Sequence, residues 1–210
     1  RAWTHQHWFI PAAAGSLLAR FLREGKLGGD PLVMNIPRDQ VVLKPLDLPP
    51  GTNPGEIAGM VHYRIRDELP FPWEEATIDF CRESGRKSEE VNVLAAAARK
   101  ETVDYFLKLT EAADRSLLRL GFRSYANVCC LEAGIRDLED GITALVNINA
   151  ADTEIDVIDA GSLVFARTAI HESFTNGQPT EHELRERIES VVSEVARSLQ
   201  GFAATREGAS

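Results

Sequence analysis

The residues that could do chemistry in this sequence are few and scattered. His5 and His7 stand two apart, a spacing that would put both rings on one face of a strand as metal ligands, but no third ligand follows at a recognisable spacing. His62, His171 and His182 occur singly. Surface or half-buried imidazoles explain these histidines better than a metal site does, so we predict no metal site.

Common enzyme motifs are also absent. The sequence has no G-x-x-x-x-G-K-[ST] phosphate loop, no G-x-G-x-x-G dinucleotide loop, no G-x-S-x-G nucleophile turn and no H-E-x-x-H zinc helix. Carboxylate pairs such as Glu74 with Glu75 stand at the starts of predicted elements, where helix electrostatics and solubility account for them. We therefore assign no catalytic residues.

One segment with a more specific composition is 67–75, which contains Leu69. Two prolines stop a helix there and hold Phe71 and Trp73 in a stiff, extended stretch. Taken alone, the segment is best explained as a hydrophobic plug at a helix end, and a docking site is the alternative.

A second such segment is 144–152, where a strand runs into a turn. Asn147 and Asn149 stand at positions that tolerate left-handed backbone. Taken alone, this segment is an ordinary hairpin.

Composition limits the class of protein. With 210 residues, 44% of them hydrophobic, the chain can bury the core of one large domain or two small ones. Its net charge of -9 repels nucleic acid and anionic lipid alike. Charges interrupt every apolar stretch before the roughly 18 residues of a membrane span. Cys81, Cys129 and Cys130 form neither a disulfide framework nor a C-x-x-C pair, which indicates a reducing compartment.

The hydrophobic periodicity predicts helices and strands in alternation up to residue 133. The runs 32–36 and 40–48, separated by a polar turn that begins with proline, are expected to pair as a hairpin. Asn53 is a candidate cap for the helix that follows. The other predicted elements are helices over 12–24, 100–113 and 125–133 and strands over 76–82, 91–98 and 117–120.

The rest of the chain predicts an antiparallel meander followed by a long helix. Runs 142–148, 154–158 and 163–170 read as strands, with a tight turn at 159–162 between the last two. Thr180 and Glu183 have the spacing of a capping box. Val191, Val195 and Leu199 should be among the least exposed side chains of the helix, which we expect to lie flat on the sheet. The predicted fold class is α+β with mixed sheets.

Several segments in this order resemble a known family. The carriers are N-I-P-R-D-Q-V at 35–41, E-L-P-F-P-W-E-E-A at 68–76, A-A-A-R-K-E at 96–101, V-N-I-N-A-A-D-T at 146–153, and R-S-L at 197–199 in the closing helix. From about residue 12 onward the chain is similar to the PilM family of type IV pilus assembly proteins. It is more remotely similar to FtsA and to the cytoplasmic part of the type II secretion L protein.

The resemblance implies a fragment of an actin/Hsp70-like, ribonuclease H-like fold with a small inserted α/β subdomain. The expected divisions are 1–31 as the helical lead-in of the first actin-like half, 32–82 as the inserted subdomain, 83–137 as the rest of that half, and 138–210 as the start of the second half. The chain begins without Met, and we expect it to be a piece of a longer protein.

The resemblance also implies a phosphate turn. In the family the corresponding turn reads D-I-G-x-S/T, because glycine lets backbone amides approach phosphate and the Asp orients water on Mg²⁺. Here Asn147 replaces the Asp and Asn149 the Gly, so with Ala151 and Asp152 the turn is degenerate. We expect no cofactor in this chain, and ATP with Mg²⁺ only in the full-length protein.

The function implied is a non-catalytic cytoplasmic scaffold at the bacterial inner membrane. It would bind the N-terminal peptide of a PilN-like bitopic membrane protein, with Leu69, Phe71 and Trp73 forming one wall of the groove. Other platform proteins and the assembly ATPase are further expected partners, and nucleic acid is not. The alternatives are an ATP-binding or ATP-hydrolysing actin-like protein and a type II secretion L-like protein that binds the assembly ATPase.

Overall fold

The computed structural model describes residues 10–82, 91–134, 141–149, 151–171 and 179–207. Its helices are α1 (Pro11–Glu24), α2 (Pro54–Arg66), α3 (Lys100–Ala112), α4 (Arg123–Gly134) and α5 (Glu181–Glu207). Its strands are β1 (Leu32–Ile36), β2 (Val41–Leu48), β3 (Ala76–Arg82), β4 (Val91–Arg99), β5 (Leu117–Phe122), β6 (Ile142–Ile148), β7 (Asp152–Asp159) and β8 (Ser162–Ile170). His5 and His7 lie outside the described residues. No helix in the described part of the chain is long and apolar enough to cross a membrane.

The expected hairpin of β1 with β2 is wrong. Strand β1 instead pairs in parallel with β5, which lies some eighty residues further along the chain. Between β1 and β2 a 3-10 turn over Arg38–Gln40 follows Pro37 and redirects the chain. Strand β2 then pairs antiparallel with β4, from Val41 opposite Ala98 to Leu48 opposite Val91.

Strand β4 is the centre of a sheet of order β2-β4-β3. Helix α2 covers one face of this sheet, and the Asn53 side chain caps it by accepting from the Gly55 N–H at 3.0 Å. The core between helix and sheet consists of Leu46, Leu48, Ile57, Val61, Ile65, Val93, Ala95 and Ala97.

The opposite face of the same sheet packs against the remaining elements. Val41 and Ala98 lie with Ile36 and Phe106, which joins the sheet to β1 and α3. A second cluster, of Leu94, Val128, Ile158 and Leu163, joins it to α4 and to the sheet formed by β6, β7 and β8. The sheet β2-β4-β3 is therefore covered on both faces.

Helices α1 and α3 pack closely because α1 contains Gly15. A Cβ at this position would lie 2.4 Å from the Leu109 carbonyl oxygen and 2.6 Å from the Ala112 Cβ. Any larger residue at 15 would force the two helices apart.

The meander β6-β7-β8 forms as predicted. Its tight turn holds Ala160 at φ 49° and Gly161 at φ 80°, the left-handed pair that two-residue hairpins use. The capping box is also confirmed, since the Thr180 N–H donates to Glu183 Oε2 at 2.7 Å and the Glu183 N–H donates to Thr180 Oγ1 at 3.3 Å.

The predicted inner face of α5 is wrong for Leu199. Val191 is buried, but Leu199 is 37% exposed, and Leu184, Ile188 and Val192 are exposed too. The cause is an inward-facing ion pair, in which Arg167 of β8 lies 2.9 Å from Glu194 Oε2 and donates to Ser198 Oγ at 3.1 Å. Because Glu194 and Ser198 face the sheet, part of the apolar stripe of α5 faces solvent instead.

The domain limits expected from the sequence stay a proposal. Strand β1 lies within 32–82 but pairs with β5, and β4 lies within 83–137 but pairs with β2 and β3. The strand pairing thus places three strands of segment 41–99 in one sheet, and α2 of the same segment covers that sheet.

Candidate functional site

The most polar part of the interior lies on β7. Glu154 and Asp156 occupy alternate positions of this strand, so both side chains face α4, and both residues are 0% exposed. Arg123 begins α4, and Arg38 stands in the turn after β1. Two cations from separate elements thus meet two buried acids, and we call these four residues the β7 ion cluster.

Distances within the β7 ion cluster are short. Arg123 Nε lies 2.7 Å from Glu154 Oε2, and Arg123 Nη2 donates to Asp152 Oδ1 at 3.0 Å. The Arg38 backbone N–H donates to Glu154 Oε1 at 3.1 Å. Asn127 Nδ2 donates to Asp156 Oδ2 at 3.2 Å. The cluster therefore links α4 and the turn after β1 to the meander.

The Arg38 guanidinium continues this link beyond the carboxylates. It donates to the Val41 carbonyl oxygen at 2.6 Å and to the Ala166 carbonyl oxygen at 3.1 Å. One residue thus contacts β2, β7 and β8.

Burial sets the electrostatics of the cluster. It raises the pKa of the Glu154 carboxyl, which Arg123 opposes by hydrogen bond and charge. It also raises the pKa of the Asp156 carboxyl, opposed by Ser124 and Asn127, and lowers the pKa of the Arg38 guanidinium against the attraction of Asp156 and Glu154. Such paired, shielded charges fix the positions of strands and helices.

The turn at 147–152 is closed by its own hydrogen bonds. Asn149 donates from its backbone N–H to the Asp152 carbonyl oxygen and from Nδ2 to Asp152 Oδ1, both at 2.8 Å. The Ala151 carbonyl oxygen accepts from the His171 N–H at 2.8 Å. Asn147 is half-buried in β6 opposite Glu154, two residues before Asn149.

These residues do not fit a Mg²⁺-bound nucleotide phosphate. The Asp152 carboxylate is paired with Arg123, and the Asn149 amide already has an acceptor. Within the described ranges no group of three or more His, Cys, Asp or Glu residues is arranged to hold a metal ion. Among the described residues of the turn, the Asp152 carboxylate and the Asn149 amide, which such a ligand would need free, are both engaged within the chain.

The segment 69–73 is held at both of its ends. Leu69 packs against the core between α2 and its sheet. The Phe71 ring lies under Arg99, whose guanidinium carbon is 4.3 Å from the ring centroid, and Arg99 also lies 2.8 Å from Glu75 Oε2. Trp73 is 49% exposed. In this segment, therefore, Leu69 is part of the core, the Phe71 ring stacks against Arg99, and Trp73 is exposed at the surface.

Sequence reasoning brought together Asn149, Ala151 and Asp152 correctly as one turn but missed the β7 ion cluster. The available signal was two acids at alternate positions of an otherwise β-branched strand, Glu154 and Asp156. That pattern normally indicates a face turned to water. Here α4 covers the face.

A family model for the type IV pilus assembly protein PilM matches residues 12–186, most of the chain. The chain belongs to this family.

Two solved structures resemble the PilM-family chain. One is a PilM-PilN type IV pilus biogenesis complex, at 22% identity and a TM-score of 0.69, covering 81% of this chain and 53% of that one. The other is the cytoplasmic domain of EpsL, an inner membrane component of the type II secretion system of Vibrio cholerae, at 16% identity and a TM-score of 0.51, covering 74% of this chain and 56% of that one.

These two likenesses confirm the expected mixed α/β, actin-like fold. The chain spans just over half the length of each of the two structures.

Proposed function

We propose that this chain is part of a type IV pilus assembly scaffold that binds the N-terminal cytoplasmic peptide of a PilN-like membrane protein. The family match supports the assembly role. Likeness to a PilM solved in complex with PilN supports the partner. The protein would act on the cytoplasmic side of the inner membrane, with other platform proteins and the assembly ATPase as further partners.

The observation that carries the proposed site is the exposure of Trp73 on a rigid segment. Two prolines restrict the backbone. On the C-terminal side of the segment, Arg99 donates to the Glu75 carboxylate at 2.8 Å. Lys100 donates to the Glu74 carbonyl oxygen at 2.6 Å. An aromatic side chain held in this way binds a partner with little loss of its own conformational entropy. Trp and Tyr are also the residues that most often dominate protein interfaces.

The closed turn at 147–152 supports a scaffold over an ATP-hydrolysing protein. The Asn149 side-chain amide already donates to the Asp152 carboxylate, and that carboxylate is paired with Arg123. The second alternative, a type II secretion L-like protein, has weaker support, because the EpsL domain matches at the lower TM-score.

The test is a titration of a fluorescein-labelled N-terminal peptide of the PilN-like protein from the same source, followed by anisotropy. We expect Trp73→Ala and Phe71→Ala each to weaken binding by more than about 1 kcal/mol, roughly fivefold. Tyr63→Ala is the matched control, since Tyr63 is an exposed aromatic on α2. If Phe71→Ala lowers only the melting temperature and Trp73→Ala changes nothing, the segment is core and the groove lies elsewhere.

A further inference from the structure

Two of the thiols of the chain lie beside one hydroxyl group. Cys81 stands at the C-terminal end of β3, whereas Tyr125 and Cys129 stand four residues apart on α4, which places them on one face of that helix. The Tyr125 hydroxyl makes a hydrogen bond with each of the two thiols. The charge of a Cys81 thiolate, burial and the charge of a Cys129 thiolate together raise the pKa of Tyr125 to about 12. The two sulfur atoms are therefore no more than two hydrogen-bond lengths apart.

Packing holds the end of β3 against α4 independently of this hydroxyl. Cys81 packs against the buried cluster that contains Leu94 of β4 and Val128 of α4. Val128 immediately precedes Cys129 in the helix. The Cys81 thiol also donates to the Leu94 carbonyl oxygen, 3.9 Å from its sulfur. Strand β3 and helix α4 thus adjoin at the position of the two cysteines.

The two thiols differ in their access to solvent. Cys129 is exposed, and Cys81 is half-buried. Tyr125 is 37% exposed, so its ring can turn toward solvent and let the two sulfur atoms meet. Cys130 is exposed as well, but the next position of a helix is turned by about 100°, away from the face that carries Tyr125 and Cys129. An accessible thiol with a second thiol beside it is the arrangement typical of redox-sensitive cysteines.

We propose that Cys81 and Cys129 form an oxidation site, at which hydrogen peroxide converts the two thiols into a disulfide between β3 and α4. The Cys129 sulfur attacks the peroxide and becomes a sulfenic acid, and one water molecule is released. The Cys81 sulfur then attacks the Cys129 sulfur, and the sulfenic hydroxyl leaves as a second water molecule. Both sulfur atoms are oxidised and both peroxide oxygens are reduced, so two thiols and one peroxide give one disulfide and two water molecules.

The bond fastens the sheet β2-β4-β3 to α4. In the reduced chain only non-covalent contacts, such as those of Cys81 and Leu94 with Val128, hold these parts together here. In a reducing compartment disulfides are usually transient and redox-sensing, which agrees with the cysteine pattern of this sequence. Neither cysteine belongs to the segment 69–73, so the site does not rest on the function proposed above.

The test treats the folded chain with hydrogen peroxide at low protein concentration. The remaining thiols are then blocked with iodoacetamide, and the chain is digested with trypsin without a reductant. Cys81 lies in the tryptic peptide 67–82 and Cys129 in the peptide 124–136. We expect these two peptides to be linked, and a reductant to separate them. The intact chain should lose the mass of two hydrogen atoms.

Matched variants show which thiol of α4 takes part. Cys130→Ser and Cys129→Ser each leave one thiol in the same peptide. In the folded chain, Cys130→Ser should form the link about tenfold faster than Cys129→Ser or more, because a disulfide needs two side chains directed at each other. In urea, where the fold no longer selects the partner, the two rates should be similar. Cys81→Ser should form no link.

Circular dichroism checks that each variant is folded before oxidation. The proposal is overturned if the folded parent chain forms no link between the two peptides, or forms it only between separate chains. Equal rates for the two α4 variants in the folded state would overturn it too. So would conversion of Cys129 to a sulfinic acid while Cys81 remains a thiol.

Discussion

The Arg123 guanidinium lies 2.7 Å from the Glu154 carboxylate, and Glu154 is completely shielded from solvent. A buried carboxylate of this kind is tolerated only because it is paired and hydrogen-bonded. The pair joins the first residue of α4 to the middle strand of the meander.

Replacing Arg123 by Met should be strongly destabilising. Glu154 would keep the hydrogen bond from the Arg38 backbone N–H but lose the paired charge of Arg123. Breaking a buried pair in this way lowers the free energy of unfolding by about 3–5 kcal/mol. Urea denaturation measures the loss. Arg185→Ala removes an exposed pair with Glu181 and should change stability by less than about 1 kcal/mol. Equal effects of the two variants would contradict the role of the cluster.

Asp156 should make stability depend on pH. Burial raises its pKa in the folded state, so its contribution is fully present below the unfolded value of about 3.9 and is lost as the pH rises through the folded pKa. Asp156→Asn removes this titration and keeps a polar group opposite Asn127. The variant should therefore gain stability relative to the parent as the pH rises from below about 4 to 7. A relative stability independent of pH would refute the assignment.

Ile65 and Leu199 should respond very differently to truncation. Ile65 is fully buried between α2 and its sheet, so Ile65→Ala should cost about 2–5 kcal/mol through lost contacts and a cavity. Leu199 is partly exposed on α5, and Leu199→Ala should cost less than about 1 kcal/mol. Chemical denaturation of both variants checks the orientation of α5; a cost at Leu199 as large as that at Ile65 would show it to be wrong.

Nucleotide binding should be absent from this chain. Calorimetric titration with ATP and Mg²⁺ at millimolar concentration should give no saturable signal, because the Asn149 amide and the Asp152 carboxylate of the turn already have partners within the chain. Asn147→Asp together with Asn149→Gly restores the family's carboxylate and glycine, and in the full-length protein it should raise ATP affinity. An unchanged affinity would mean that the turn is a structural hairpin.

The sequence predicted most elements of the fold because their apolar periodicity is local. Helix α2 and its Asn53 cap follow from spacing within thirteen residues, and the capping box of α5 from two residues three apart. The pairing of β1 was not accessible in this way. Its partner β5 lies beyond the whole segment 41–99, and nothing within β1 distinguishes the two possible partners.

The candidate site was predictable only as far as it resembles a family motif. The order of Asn149, Ala151 and Asp152 in one turn follows from the chain itself, whereas Arg38 and Arg123 come from elements far apart in sequence. Leu199 was misplaced for a related reason. Arg167 on a strand draws Glu194 inward, and helical periodicity alone contains no information about that strand.

The pairing of Val41 with Ala98 has a consequence for the architecture of the chain. The two ends of segment 41–99 leave the rest of the molecule as neighbours across one antiparallel ladder. Because the ladder holds these two ends side by side, the rest of the molecule has to span only the short distance between them, whatever the length of chain inside the segment. The segment is thus a cassette whose α2-covered side can change in length without stretching its host, whereas Val41, Leu94 and Ala98 pack against the host and hold the other face in place.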